Sequence, residues 1–229
     1  MSAKRAKEMQ NRNGISVANF TAERRPVLMW FRADLRLVDN PALYAAAQQG
    51  RVVPGFVYPQ AANTHASALS YPGAAGQVWL HHSLTALQET LQGTLQLYSG
   101  NAVDILPEVC RRYAITEVYY NRSYTPTGME EERGVERAML ELQVSTQPHN
   151  GNYLWEPERL TKKDGSAYQV FTPFYRNALE NAEPPRSPFH APEDLELQQV
   201  EEVSASGEAK GRDITDPRQL NLLPCHPWG

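Results

Sequence analysis

The chain is 229 residues long, 41% hydrophobic and 21% charged, with a formal charge of -4 and two cysteines. A domain of ~150 residues already hides roughly two thirds of its unfolded surface, so this chain can bury one core. Cys110 and Cys225 lie too far apart in sequence for a disulfide-stapled scaffold and no apolar run approaches the ~20 residues of a membrane span, which excludes a small secreted knot and a helical membrane protein and points to a cytoplasmic protein with reduced thiols.

Residues 1–25 hold six Lys and Arg against two Glu, leaving 16 basic and 24 acidic residues in the remainder. An acidic body argues against this segment gripping a phosphate backbone by itself. The tail, with its Asn and Gln content and no apolar stripe, reads as a disordered basic extension. Order begins at Pro26, where Val27-Leu28-Met29-Trp30-Phe31 is a continuous apolar run of buried-strand length. A charged loop, Arg32 to Asn40, then ends in an N-cap candidate followed by Pro41, which predicts a helix over 42–49 that stops at Gly50.

Val52 to Tyr58 supplies a second strand, and residues 59–76 form a long Ala-, Pro-, Gly- and Ser-rich connection without a period. From Gln77 the helical period returns, with Leu80, Leu84, Leu87 and Leu91 on one face until Gly93. Further strands are expected at 95–98, 117–120 and 144–147, and further helices at 103–113 and 129–142, Pro107 leaving the start of the first of these open. Strands and helices alternating over short links predict a Rossmann-like, open, doubly wound parallel sheet of five strands with helices on both faces. Lys162-Lys163-Asp164-Gly165 reads as a turn, Thr172-Pro173 as the cap-plus-proline start of a helix running to about Asn181, and residues 184–229 as an extended acidic, Pro-rich linker with at most a short helix over 195–203. The organisation is therefore a tail at 1–25, an α/β domain at 26–183 and a linker at 184–229.

Ligands of such sheets bind beyond the carboxyl ends of the strands. Arg32 and Asp34 follow the first strand, Tyr58 ends the second and Asn121 to Tyr124 follow the fourth. Two roles stay open for Arg32, Asp34, Arg36 and Asp39: contact with a ligand, or a salt-bridge and capping lattice that only fixes the first loop. His81-His82 is not a metal pair, because adjacent helical residues point about 100° apart. Gly73-Ala74-Ala75-Gly76 follows no strand and lacks phosphate-loop spacing. Neither cysteine has a neighbouring His arrangement for nucleophilic catalysis.

Three segments carry a resemblance. Trp30-Phe31-Arg32-x-Asp34-Leu35-Arg36-x-x-Asp39-Asn40-Pro41-Ala42-Leu43 resembles the opening motif of the DNA photolyase/cryptochrome family, Trp79-Leu80-His81-His82-Ser83-Leu84 its second helix, and Val170-Phe171-Thr172-Pro173-Phe174-Tyr175-Arg176 a segment near the end of its amino-terminal domain. Tyr124-x-Pro126, Leu222-Leu223-Pro224 and Pro227-Trp228 add weaker matches in the expected order, and Phe171-Thr172-Pro173-Phe174 is most similar to class I cyclobutane-dimer photolyases. The resemblance implies an antenna domain that carries a light-harvesting chromophore in many members. It also implies a following helical domain that binds FAD and receives a pyrimidine dimer flipped out of DNA. There the reduced, excited flavin lends the dimer an electron and recovers it after the ring splits.

Gly229 falls in what would be the connection to that helical domain, so no catalytic residue is expected in this chain, which should be inactive alone. The full-length protein would act on DNA as a monomer without contact to a membrane. The same resemblance lines a chromophore crevice with Arg32, Phe56, Val57, Tyr58 and Ser123, an aromatic floor with one cation that suits a flavin-like ring. Folate-binding members carry an Asn-Glu pair where Thr127-Gly128 stands, and deazaflavin-binding members an acid where Ser123 stands; both signatures are missing, which leaves flavin, deazaflavin, folate or no antenna chromophore open. The usual Arg-Asp after Tyr-x-Pro is replaced by Glu131-Glu132, which reverses the local charge. Two further readings remain, a cryptochrome-type blue-light receptor and a stand-alone nucleotide- or chromophore-binding module.

Overall fold

The computed structural model describes residues 24–59, 73–199, 212–214 and 216–223. The basic tail up to Glu23, most of the 59–76 connection, and Pro224, Cys225 and Pro227-Trp228 lie outside them. β1 (Pro26–Phe31), β2 (Arg51–Tyr58), β3 (Gln96–Ser99), β4 (Glu117–Asn121) and β5 (Ser145–His149) pair in parallel, in the order β5-β4-β1-β2-β3. Helices α1 (Pro41–Gln49), α2 (Ala74–Thr90), α3 (Ala102–Arg112) and α4 (Pro126–Glu141) join them. The chain moves outward from β1 to β2 and β3, then crosses back to β4 and β5, so strand order reverses between β1 and β4.

Successive side chains of a strand face opposite sides, and β1 sorts its residues accordingly. Met29 and Phe31 join Leu43, Leu84, Leu87 and Leu91 of α1, α2 and the link after α2 on one face. Leu28 and Trp30 join Leu106, Val109, Val135 and Met139 of α3 and α4 on the other. Both faces are dry, which explains why β1 reads as an unbroken apolar run.

The helix starts follow their caps. Asn40 accepts from the Leu43 N–H at 3.0 Å ahead of Pro41, and Asn101 from the Val103 N–H at 3.0 Å, which places the start of α3 at Ala102 and Pro107 inside it. Thr125 caps α4 by accepting from the Gly128 N–H at 3.2 Å, with Pro126 next, so this helix begins three residues earlier than its apolar period suggests. The cap-plus-proline start expected at Thr172-Pro173 does not occur. A fifth helix, α5 (Phe171–Asn181), starts ahead of both residues, with no side-chain cap at Val170, and buries only Ala178.

The region after Glu183 departs from expectation in its contacts. A sixth strand, β6 (Arg212–Ile214), runs antiparallel along β3, and the sheet thus has six strands among the described residues. Leu195 and Leu197 are extended instead of helical; Leu197 bridges Val52, and Leu195, Leu197, Ile214 and Leu222 are buried in the α1/α2 core. Gly50 is required where it stands, because a Cβ there would lie 2.2 Å from the Arg25 carbonyl oxygen.

Candidate functional site

The carboxyl ends of β1, β2 and β4, with the first turns of α2 and α4, enclose a crevice of about 570 Å³. That volume lies within the range of small-molecule sites, roughly 300–1,000 Å³. Arg32, Phe56, Val57, Tyr58 and Ser123, the five residues expected at a chromophore site, all line it. Trp30, Pro59, Gly76, Trp79, Leu80 and Glu131 line it too and were not anticipated. Trp79 lies off the buried leucine face of α2 and is 77% exposed; its spacing from Leu80, Leu84 and Leu87 placed it off that face, but nothing in the sequence tied it to this crevice.

One wall is aromatic and rigid. Phe56 and Tyr58 are buried in β2, and Trp30 packs on Tyr120 with centroids 5.4 Å apart. The Tyr120 hydroxyl donates to Glu136 at 2.7 Å, and burial first, then this bond, pushes its pKa well above the ordinary tyrosine value. It stays a neutral donor.

The polar wall centres on Arg32. Its guanidinium lies 4.6 Å over the Trp30 ring and donates to Glu132, to Glu131 at 2.7 Å and to the Gly128 carbonyl at 3.3 Å. Glu132 is 4% exposed and also accepts the Ser123 backbone N–H. Burial raises the pKa of its carboxyl, opposed by the Ser123 N–H and by Arg32. The charge reversal seen at Glu131-Glu132 thus supplies the partners of Arg32.

For the rest of the first loop the structural role is the one observed. Asp34 is buried and accepts from the Arg32 backbone N–H at 3.0 Å and from Asn121; Arg36 donates to the carbonyls of Asp39 and Gly151; Asp39 accepts from Arg186 at 2.6 Å. Asp34 and Arg36 nevertheless contribute atoms to the crevice rim. At Gly128, a Cβ would lie 2.2 Å from the Ser123 hydroxyl oxygen. A larger acid there, as in the folate signature, has no room without movement of the loop after β4.

The other motifs lie as follows. His81 is buried and its ring meets His82 edge-on at 5.4 Å, and no group of three or more metal-ligating side chains occurs among the described residues. Cys110 is buried, which pushes its thiol up to about 12, far from a nucleophilic thiolate at neutral pH. Lys162 and Gly165 close a hydrogen-bonded turn at 2.9 Å. No helix among the described residues is long and apolar enough to cross a membrane.

A family model described as DNA photolyase matches residues 27–193. The chain is 38% identical over 179 residues to the deoxyribodipyrimidine photo-lyase of Agrobacterium fabrum, covering 76% of this chain and 36% of that protein. It is 30% identical over 161 residues to Cryptochrome-2 of Arabidopsis thaliana, covering 68% of this chain and 26% of that protein. The crystal structure of a bacterial class III photolyase from Agrobacterium tumefaciens superposes with a TM-score of 0.74 at 33% identity, covering 91% of this chain and 40% of that one. The chain therefore spans between about a quarter and just over a third of the length of these curated relatives.

Proposed function

From the premise that the chain belongs to the DNA photolyase family, we propose that it is the family's light-harvesting α/β domain and that its crevice holds a planar chromophore, best a flavin-type ring. The observation that carries this reading is the crevice itself: aromatic and aliphatic walls from β1, β2 and α2, a paired cation at one end, and a position at the switch point of the sheet. Such a chromophore, when bound, absorbs light and passes the excitation on. The chain's own residues hold and orient it. Phe56, Val57 and Tyr58 give a dry edge, Trp79 closes over the mouth from α2, and at the β4 end the ring meets the Ser123 hydroxyl and the ion pair of Arg32 with Glu131.

The activity proposed for the whole protein is light-driven repair of cyclobutane pyrimidine dimers in DNA, catalysed by FAD in the helical half that the family resemblance implies. We place the protein in the cytoplasm as a monomer. On this reading residues 1–25 are a tail, 26–183 the antenna domain and 184–229 the path to that half. The test has two parts. The purified chain should take up a chromophore and show a visible or near-ultraviolet absorption band, and the chain fused to its natural downstream sequence should split thymine dimers under blue light. Absence of both would remove the reading. The 30% identity to a plant cryptochrome supports a second reading, a blue-light receptor, which predicts flavin uptake and a light-dependent partner without dimer splitting.

A further inference from the structure

The charges at the crevice do not favour an anion. Arg32 and Arg36 line it against Asp34 and Glu131, and Glu132 stands behind Arg32 as a third acid. Arg36 directs its bonds to the Asp39 and Gly151 carbonyls. At the β4 end, two donors that could meet an anion are already occupied. The Ser123 backbone N–H and the Arg32 guanidinium both donate to the buried carboxylate of Glu132, and Arg122 lies 3.9 Å from its other oxygen. Glu131, its side chain 35% exposed, holds the second edge of Arg32 and faces the crevice.

Resting on the chromophore reading above, we infer that Glu131 and Glu132 are specificity-determining residues. They occupy the place of a bound anion, so that the crevice accepts an uncharged planar ring and disfavours the same ring carrying a phosphate. Glu132 does this by holding the donors, and Glu131 by leaving a like charge on the ligand's side of Arg32. Repulsion between like charges a few ångströms apart in a half-wet cleft is worth roughly a tenfold change in affinity.

Riboflavin and FMN share one ring and differ by the phosphate, so their affinities for the full chain isolate the effect. Fluorescence titration at low salt is expected to give riboflavin about tenfold tighter binding than FMN. Glu131→Gln, on a half-exposed side chain whose loss leaves the core intact, is expected to narrow the gap to under about threefold, and about 0.5 M salt to narrow it in the wild type as well, which a purely structural role of Glu131 would not produce. FMN binding as tight as riboflavin or tighter, or a gap indifferent to Glu131→Gln, overturns the inference and leaves the chromophore reading standing. Binding of neither flavin removes the flavin reading itself and the inference with it.

Discussion

Asp34 is 2% exposed and sits in a knot of polar groups at the carboxyl ends of β1 and β4. It accepts from the Arg32 backbone N–H and from Asn121, whose amide also donates to Asn40 at 2.8 Å, while Asn40 caps α1. One carboxylate thus fixes the loop that presents Arg32 to the crevice. Removing it strands buried donors, each costing about 1–3 kcal/mol. Asp34→Ala is therefore expected to lower the unfolding free energy in urea by about 2–4 kcal/mol, and Asp39→Asn, which removes a half-exposed ion pair but keeps an acceptor for the Phe189 N–H and a residue tolerant of the left-handed backbone at φ 51, by under about 1 kcal/mol. Equal effects of the two would show that the knot does not hold the loop. The cap at Asn40-Pro41 was readable locally, since both signals are adjacent in sequence. Asn121 was not, because its role arises only when β4 lies beside β1, and Glu131-Glu132 could be seen as a charge change but not as the partners of Arg32, 99 and 100 residues away.

At the scale of elements, the first loop is also bound to the extended stretch after α5. The Asp39 carboxylate accepts from Arg186 at 2.6 Å and from the Phe189 N–H at 3.2 Å, the Asp39 N–H donates to the Phe189 carbonyl at 2.9 Å, and the Phe189 ring stacks on Tyr44 of α1 with centroids 4.7 Å apart. The Arg186 hydrogen bond, opposed by slight burial and aided by the Phe189 N–H, holds the Asp39 carboxyl below its ordinary value of 3.8. A depressed folded-state pKa contributes stability that is present above 3.8 and is lost as the pH falls through the lowered value. The attachment should thus persist at pH 4 and release only in stronger acid. A carboxyl carbon NMR titration is expected to give Asp39 a midpoint below 3.8 that returns upward in Arg186→Ala; a wild-type midpoint at or above 3.8 would contradict the assignment.

For the whole molecule, the parallel order and the two-faced core were legible because β1 and β2 are long apolar runs and the helices keep their period. The sixth strand was not. Arg212-Asp213-Ile214 has one apolar residue and no alternation to read, and its pairing with β3 is decided by an unclaimed sheet edge more than by its own propensity. Its placement makes a claim about cooperativity. Ile214 is 5% exposed and Leu222 3%, both within the cluster that contains Leu43, Leu87 and Leu97, and Arg112 of α3 reaches Asp213 at 2.7 Å. If this segment belongs to the folding unit, truncating either side chain opens a cavity in the same core that Leu43 fills. Ile214→Ala, Leu222→Ala and Leu43→Ala are then each expected to shift the single urea transition by about 2–4 kcal/mol. A segment that merely rests on the sheet would behave otherwise: it would detach below the main transition, and its two variants would leave that transition within about 0.5 kcal/mol of the wild type while Leu43→Ala still moved it.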